Sequence, residues 1–249
     1  MHDGDTFEVM MASKVTERGA AARRPFLLEL YRSALGKKYV MAITGIVWMG
    51  YVLAHMIGNL KLYQGAEYLN EYATFLREDL LTPIVPAGGT LWLLRLVLIG
   101  ALVLHVVSAY QLTVMNKRAR PESYRSRRDF VAADFAARTM RWTGVIVLLF
   151  ILFHVADITL GWANPDPDGT VFERTVASFS NPASAGFYLL ANLALGMHLY
   201  HGAWSLFQSM GWNNPRFNHW RRAFAIGFAV IVIVPNLSFP IAVQLGIIS

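Results

Sequence analysis

Five long apolar segments set what this chain can fold into: roughly Tyr39 to Leu60, Leu91 to Met115, Trp142 to Leu160, Gly186 to Phe207 and Ala223 to Ile248. A helix needs about 20 mostly apolar residues, at about 1.5 Å each, to cross the hydrocarbon core of a bilayer. Lipid offers the backbone no hydrogen-bond partner, so a spanning segment has to satisfy its own amides as a helix. The expected fold is all-α, an integral membrane bundle of five transmembrane helices. Composition agrees, with 55% of residues hydrophobic and only 15% charged, against about 25% charged in soluble domains.

The charges give the bundle a direction. Seven Lys or Arg precede the first span and eight lie between Lys117 and Arg141, with Arg216, Arg221 and Arg222 before the fifth span. The other two connections hold Lys61, Arg77 and Arg174 among seven acidic residues. By the positive-inside rule the N-terminus is cytoplasmic and the C-terminus outside. The net charge of +6 needs no nucleic acid to explain it. Zero cysteines exclude disulfides and thiolate metal ligands within the chain.

Residues 1–38 read as a polar cytoplasmic segment without a cleavable signal peptide, in which Pro25 to Leu35 forms a short interfacial helix that Gly36 separates from the first span. Residues 39–249 then form one transmembrane domain. The connection from Tyr63 to Thr90 reads as an interfacial helix ending in a turn, and Asn164 to Gly169 as turn chemistry without a helix period. No internal repeat or low-complexity segment is detected. Pro235-Asn236 is expected to kink the fifth span.

The histidines are the most informative residues. His2 and His219 fall outside the spans and read as surface residues, whereas His55, His105, His154 and His198 fall one each in the first four spans. His201 follows one turn after His198, near the same helical face. Ionisable side chains in hydrocarbon are costly, usually face the bundle interior and serve a pathway or a cofactor. The plain alternative is that they hydrogen-bond helix to helix. Four on successive helices favour two b-type haems, each with two axial imidazoles, which makes these four residues the candidate metal ligands. Counted from flanking Lys117, Arg141, Trp212 and Lys38, the depths of His105, His154, His198 and His55 are about 18, 20, 21 and 26 Å. This ranking suggests an inner pair containing His105 and an outer pair containing His55, and leaves the partners open. Gly45, Gly50, Gly58, Ala101, Gly196 and Gly202 permit the close approach a flat macrocycle needs, as they would ordinary helix packing.

Two further groups are candidates. Arg95, near the outer end of the second span, either pairs with Asp157, grips a haem propionate bidentately or snorkels to the interface. Tyr200, His201, Trp204, Ser205 and Gln208 run from His198 toward the cytoplasm, and either line a quinone pocket or act as interfacial anchors.

The stretch Lys38-Tyr-Val-Met-Ala-Ile-Thr-Gly45, with His55-Met-Ile-Gly-Asn-Leu60 and Asn70-Glu-Tyr-Ala73, closely resembles the start of the cytochrome b558-type membrane anchors of succinate dehydrogenases and fumarate reductases, respiratory complex II. His105-Val-Val-Ser-Ala-Tyr-Gln-Leu-Thr, Asn116-Lys-Arg-Ala-Arg-Pro121, Arg138-Thr-Met-Arg-Trp-Thr-Gly144 before Phe153-His154, and His198-Leu-Tyr-His-Gly-Ala-Trp204 with Gly211-Trp212 are similar to that family's later helices. The resemblance covers roughly residues 33–240. It implies a five-helix bundle in the cell's inner (plasma) membrane, docked on an iron–sulfur subunit that binds a succinate-oxidising flavoprotein. The dicarboxylate site then lies on another chain, and this one passes electrons to a membrane quinone. It also implies that His105 and His198 hold the haem nearer the partner, and His55 and His154 the farther one. The basic face, including Arg23, Arg24, Arg125, Arg127 and Arg128, is expected to dock the iron–sulfur subunit, with anionic lipid as the alternative. Three alternatives remain: an iron–sulfur centre with two of the histidines and a partner's thiolates, a cofactor-free structural anchor, and a proton or solute transporter. The last would carry repeats or broken helices lined by carboxylates, and Asp157 is the sole acidic residue within a span. Homo-oligomerisation of the whole complex is left open.

Overall fold

The computed structural model describes residues 25–119, 131–212 and 214–249. His2 and the five arginines expected to dock a partner lie outside them. Among the described residues there is no strand, and the α-helices are α1 (Phe26–Arg32), α2 (Ala34–Asn59), α3 (Ala66–Thr74), α4 (Gly89–Ala119), α5 (Val131–His154), α6 (Val171–Ser180), α7 (Pro182–Ser209) and α8 (Asn218–Gln244). A 3-10 turn, Leu60–Gln64, extends α2, and π-helical turns, Phe75–Asp79 and Val155–Thr159, extend α3 and α5.

Four helices, α2, α4, α5 and α8, are long and apolar enough to cross a membrane. The remaining expected span, α7, has 28 residues but includes Asn192, His198 and His201, which dilute its apolar character. Its position accounts for this: α7 packs against α2, α5, α6 and α8. The sides of a helix that face protein can carry polar groups that a lipid-facing side cannot, and the open side of α7 is apolar, with Leu190 68% and Leu193 50% exposed. The outer faces are apolar, with Trp92 62%, Leu96 63% and Leu152 60% exposed.

Capping chemistry moves some of the boundaries expected from sequence. The break before the first span falls at Ser33 rather than Gly36, because the Ser33 hydroxyl accepts the Gly36 N–H at 2.9 Å and so caps α2. Gly36 is instead a contact, since a Cβ there would collide with the Leu30 carbonyl at the end of α1. Buried Lys37 closes the same corner by donating to the carbonyls of Tyr31 and Arg32 at 2.8 and 3.1 Å. At the other end α8 stops at Gln244, short of Ile248. Gly246, at φ 69°, turns the chain as its N–H and that of Ile247 bond back to the Val243 and Ala242 carbonyls. Pro235 and Pro240 both lie inside α8, and Asn236 and Ser238 return side-chain hydrogen bonds to the Val232 and Pro235 carbonyls.

Helix α6 was not expected. The turn Asn164 to Gly169 is a loop as read, but a capping box then starts a helix: the Thr170 hydroxyl accepts the Glu173 N–H, and the Glu173 carboxylate accepts the Thr170 N–H at 2.7 Å. The Thr170 backbone bond, then its hydroxyl, hold the Glu173 carboxyl below its ordinary pKa. Its contribution is complete above the ordinary carboxylate range and is lost as pH falls through the depressed value. Thr170→Ala is expected to cost about 1 kcal/mol, read as a lowered thermal midpoint in detergent. That cost matters because α6 carries Phe172 and Phe179 into a core with Leu62, Leu69, Tyr188 and Phe239, which ties the loops to the bundle.

Candidate cofactor site

The helices form two close pairs, α2 with α4 and α5 with α7, and α8 packs along α7. The histidines join one close pair to the other. His55 on α2 meets His154 on α5 with ring centroids 5.8 Å apart and planes at 77°, and His105 on α4 meets His198 on α7 at 6.3 Å and 64°. Neither α2 and α5 nor α4 and α7 pack extensively together among the described residues. The imidazoles thus reach across a space that the backbones leave between them.

The inner rings are held in the same way on both sides. The Thr44 hydroxyl lies 3.0 Å from His105 Nδ1 and itself donates to the Val40 or Met41 carbonyl, at 2.7 and 3.2 Å. Its one proton is spent on the helix, so toward the imidazole it accepts, and Nδ1 carries the hydrogen. The Thr143 hydroxyl stands 3.4 Å from His198 Nδ1 and donates to the Thr139 or Met140 carbonyl. Each Nε2 is left with a lone pair, the form that binds a metal.

The next residue in each helix is glycine. A Cβ on Gly45 would lie 3.8 Å from His105 Cε1, and one on Gly144 would lie 3.4 Å from His198 Cε1. These are the glycines that face imidazoles; Gly58 and Gly196 instead admit Tyr72 and Ile233. The sequence around the two threonines recurs. Met41-Ala-Ile-Thr44-Gly45 and Met140-Arg-Trp-Thr143-Gly144 each precede a histidine, His55 or His154, by the same 11 residues counted from the threonine. The four helices are thus two copies of one arrangement, and each histidine pair joins equivalent positions of the two.

These residues fit a porphyrin iron. In each pair two imidazoles stand with ring centroids 5.8 or 6.3 Å apart, so each pair would offer one metal two nitrogen ligands. Among the described residues no group of three or more ligand side chains gathers to hold a metal ion alone. A site with two protein ligands suits a metal whose other ligands come from a macrocycle. Two buried polar atoms, Ser108 Oγ one turn after His105 and Trp48 Nε1 on α2, have no hydrogen-bond partner, in keeping with a polar group absent from the protein itself.

No protein-family model, curated protein or solved structure matches the chain.

The outer pair is supported differently. His154 Nδ1 lies 3.2 Å from the Tyr188 hydroxyl, which donates to Asp157 Oδ2 at 2.8 Å. Asp157 is fully buried and also accepts from Ser178 Oγ at 2.6 Å and Asn164 Nδ2 at 2.7 Å. The expected pairing of Arg95 with Asp157 is therefore not formed. The π turn after α5 directs the carboxylate into α6, α7 and the preceding loop, and α4 does not pack on that side. Arg95 lies over the Trp92 ring at 4.9 Å and within electrostatic reach of Tyr51, which stacks on His55 at 5.4 Å. No ion pair engages Arg95 among the described residues, which leaves the propionate role available.

The residues expected to line a quinone pocket share one side of α7, within about 140° of arc, but meet different neighbours. His201 Nε2 lies 3.5 Å from the Thr139 hydroxyl, Tyr200 packs beside Leu199 and Val232, Trp204 underlies the Arg221 guanidinium at 5.2 Å, Ser205 bonds the Gly202 carbonyl, and Gln208 is exposed. The open cleft at this end, about 880 Å³, is lined instead by residues such as Phe207, Trp212, Phe217, Trp220, Arg221 and Phe224.

Proposed function

We propose that this chain is the cytochrome b-type membrane anchor and electron-transfer subunit of a succinate:quinone oxidoreductase. The observation that carries the reading is the meeting of four histidines of the long apolar helices two by two, each pair reaching across helices that do not pack extensively among the described residues. Haem iron bound there takes up and releases one electron at a time. The chain's own residues do the rest: threonines and Tyr188 fix the imidazoles, Gly45 and Gly144 give the inner rings room, and the apolar bundle excludes water.

In this reading α7 is a fifth span packed against α2, α5 and α8, and the surplus of basic residues keeps the N-terminus on the cytoplasmic side. Electrons enter from an iron–sulfur subunit on that side and leave to a quinone held against the bundle. Asp157 is committed to three neutral donors. That favours a structural carboxylate over one in a transport path.

Purification of the native assembly through a tag on this chain tests the function. The expected result is co-purification of a flavoprotein and an iron–sulfur protein, succinate-dependent quinone reduction, and crosslinks from residues 117–141 to the iron–sulfur protein. An isolated chain, or crosslinks from that connection only to the opposite side, contradicts the reading.

A further inference from the structure

The two histidine pairs differ in what stands behind them, and the difference is concentrated on Tyr188. Behind His105 and His198 are threonine hydroxyls, which are neutral. Behind His154 is a phenol that hands its one proton to a buried carboxylate. A tyrosine hydroxyl has one hydrogen to give, and with that hydrogen on Asp157 Oδ2 the oxygen can only accept from His154 Nδ1. The imidazole must then carry its hydrogen on Nδ1 and keep the Nε2 lone pair on the side away from Tyr188.

The carboxylate is itself well anchored. Ser184 donates to Ser178, Ser178 and Asn164 donate to Asp157, and Asn164 also donates to the Arg174 carbonyl at 3.0 Å. The chain of bonds therefore runs from the loop and α6, through Asp157, to the phenol and the imidazole, with every acceptor matched to a donor. Such a satisfied network orients its members rigidly. His55 has no such support: among the described residues it makes no hydrogen bond and lies stacked on Tyr51.

We propose that Tyr188 and Asp157 are positioning residues for the outer centre: they fix the His154 tautomer and strengthen its Nε2 as an iron ligand, so that the outer centre is tuned independently of the inner one. This inference rests on His154 being an axial ligand. A ligand histidine whose other nitrogen donates toward a carboxylate is a stronger electron donor to its metal, which favours the oxidised iron and lowers the reduction potential.

The test is a potentiometric titration of the b-type absorption in the purified native complex, alongside the low-temperature electron paramagnetic resonance of the oxidised iron. Tyr188→Phe retains the ring and its contacts with Phe150, Phe153 and Phe179, and removes only the hydroxyl. It is expected to raise the midpoint of one component, the one that His154→Ala eliminates, and to alter that component's resonance, with the other component unmoved. Asp157→Asn, which keeps the shape and removes the charge, is expected to move the same component in the same direction by less. Unchanged potentials and resonances in both variants overturn the relay while leaving two haems in place. Equal shifts of both components overturn it as well, and so does failure of both variants to assemble, which makes the cluster a folding element. Absence of b-type absorption from the unaltered complex overturns the haem reading itself, and the relay with it.

Discussion

Replacing His105 by alanine is expected to remove one of the two haems, and replacing His198 is expected to remove the same one. The rings stand 6.3 Å apart on α4 and α7 and would share one iron, so either loss leaves a single imidazole. Haem per assembled complex should fall by about half in each variant, and the double variant should lose no more than either single one, because residues of one unit are not additive. His55→Ala and His154→Ala should be equivalent to each other and remove the second component. Succinate-dependent quinone reduction should fall at least tenfold when an electron-transfer step is removed. If the variants retain full haem and quinone reduction, the four residues are packing groups. A defect in His201→Ala that His198→Ala lacks would place the ligand one turn further along α7.

Filling Gly144 is expected to have a similarly large and more selective effect. A Cβ there already lies 3.4 Å from His198 Cε1, so the branched carbons of Gly144→Leu have to displace the ring or separate α5 from α7. Overpacking of this kind costs about 1–3 kcal/mol, and here the strain falls on a ligand. The inner haem should be lost or altered while the component dependent on His55 and His154 remains. Gly186→Ala, near the start of α7 and about three turns from His198, is the control, since a Cβ there meets nothing within 4 Å. Absorption spectra and haem content of the assembled variants decide it; equal loss of both haems in Gly144→Leu would show general damage rather than pressure on His198.

The helical class and the long apolar segments were legible in the sequence because lipid constrains the backbone so strongly. The placing of one histidine on each of four long helices was legible too, since each falls inside one apolar segment. Partners were not legible from spacing, which says nothing of which helix stands opposite; the resemblance alone paired them, in the same pairs as the ring contacts. The shared Met-x-x-Thr-Gly ahead of His55 and His154 held that information, but as a five-residue signature too short to read as a repeat. The surroundings of Asp157 were not legible, because its donors Ser178 and Tyr188 lie on α6 and α7, and α6 is a ten-residue helix without the long apolar period of a span. The pair Thr170 and Glu173 was the local signal for that helix. Gly36 read as a separator because glycine interrupts helices, whereas the Ser33 hydroxyl and the Leu30 carbonyl determine where the chain breaks and why that position is glycine.

Haem content per chain in the purified native complex tests the central claim most directly. A reduced-minus-oxidised spectrum, with extraction of the haem for quantitation, should give b-type absorption and about two haems per copy, the number that two bis-histidine pairs can hold. Complex purified from cells with full iron supply that contains this chain in stoichiometric amount but no b-type haem would contradict the account.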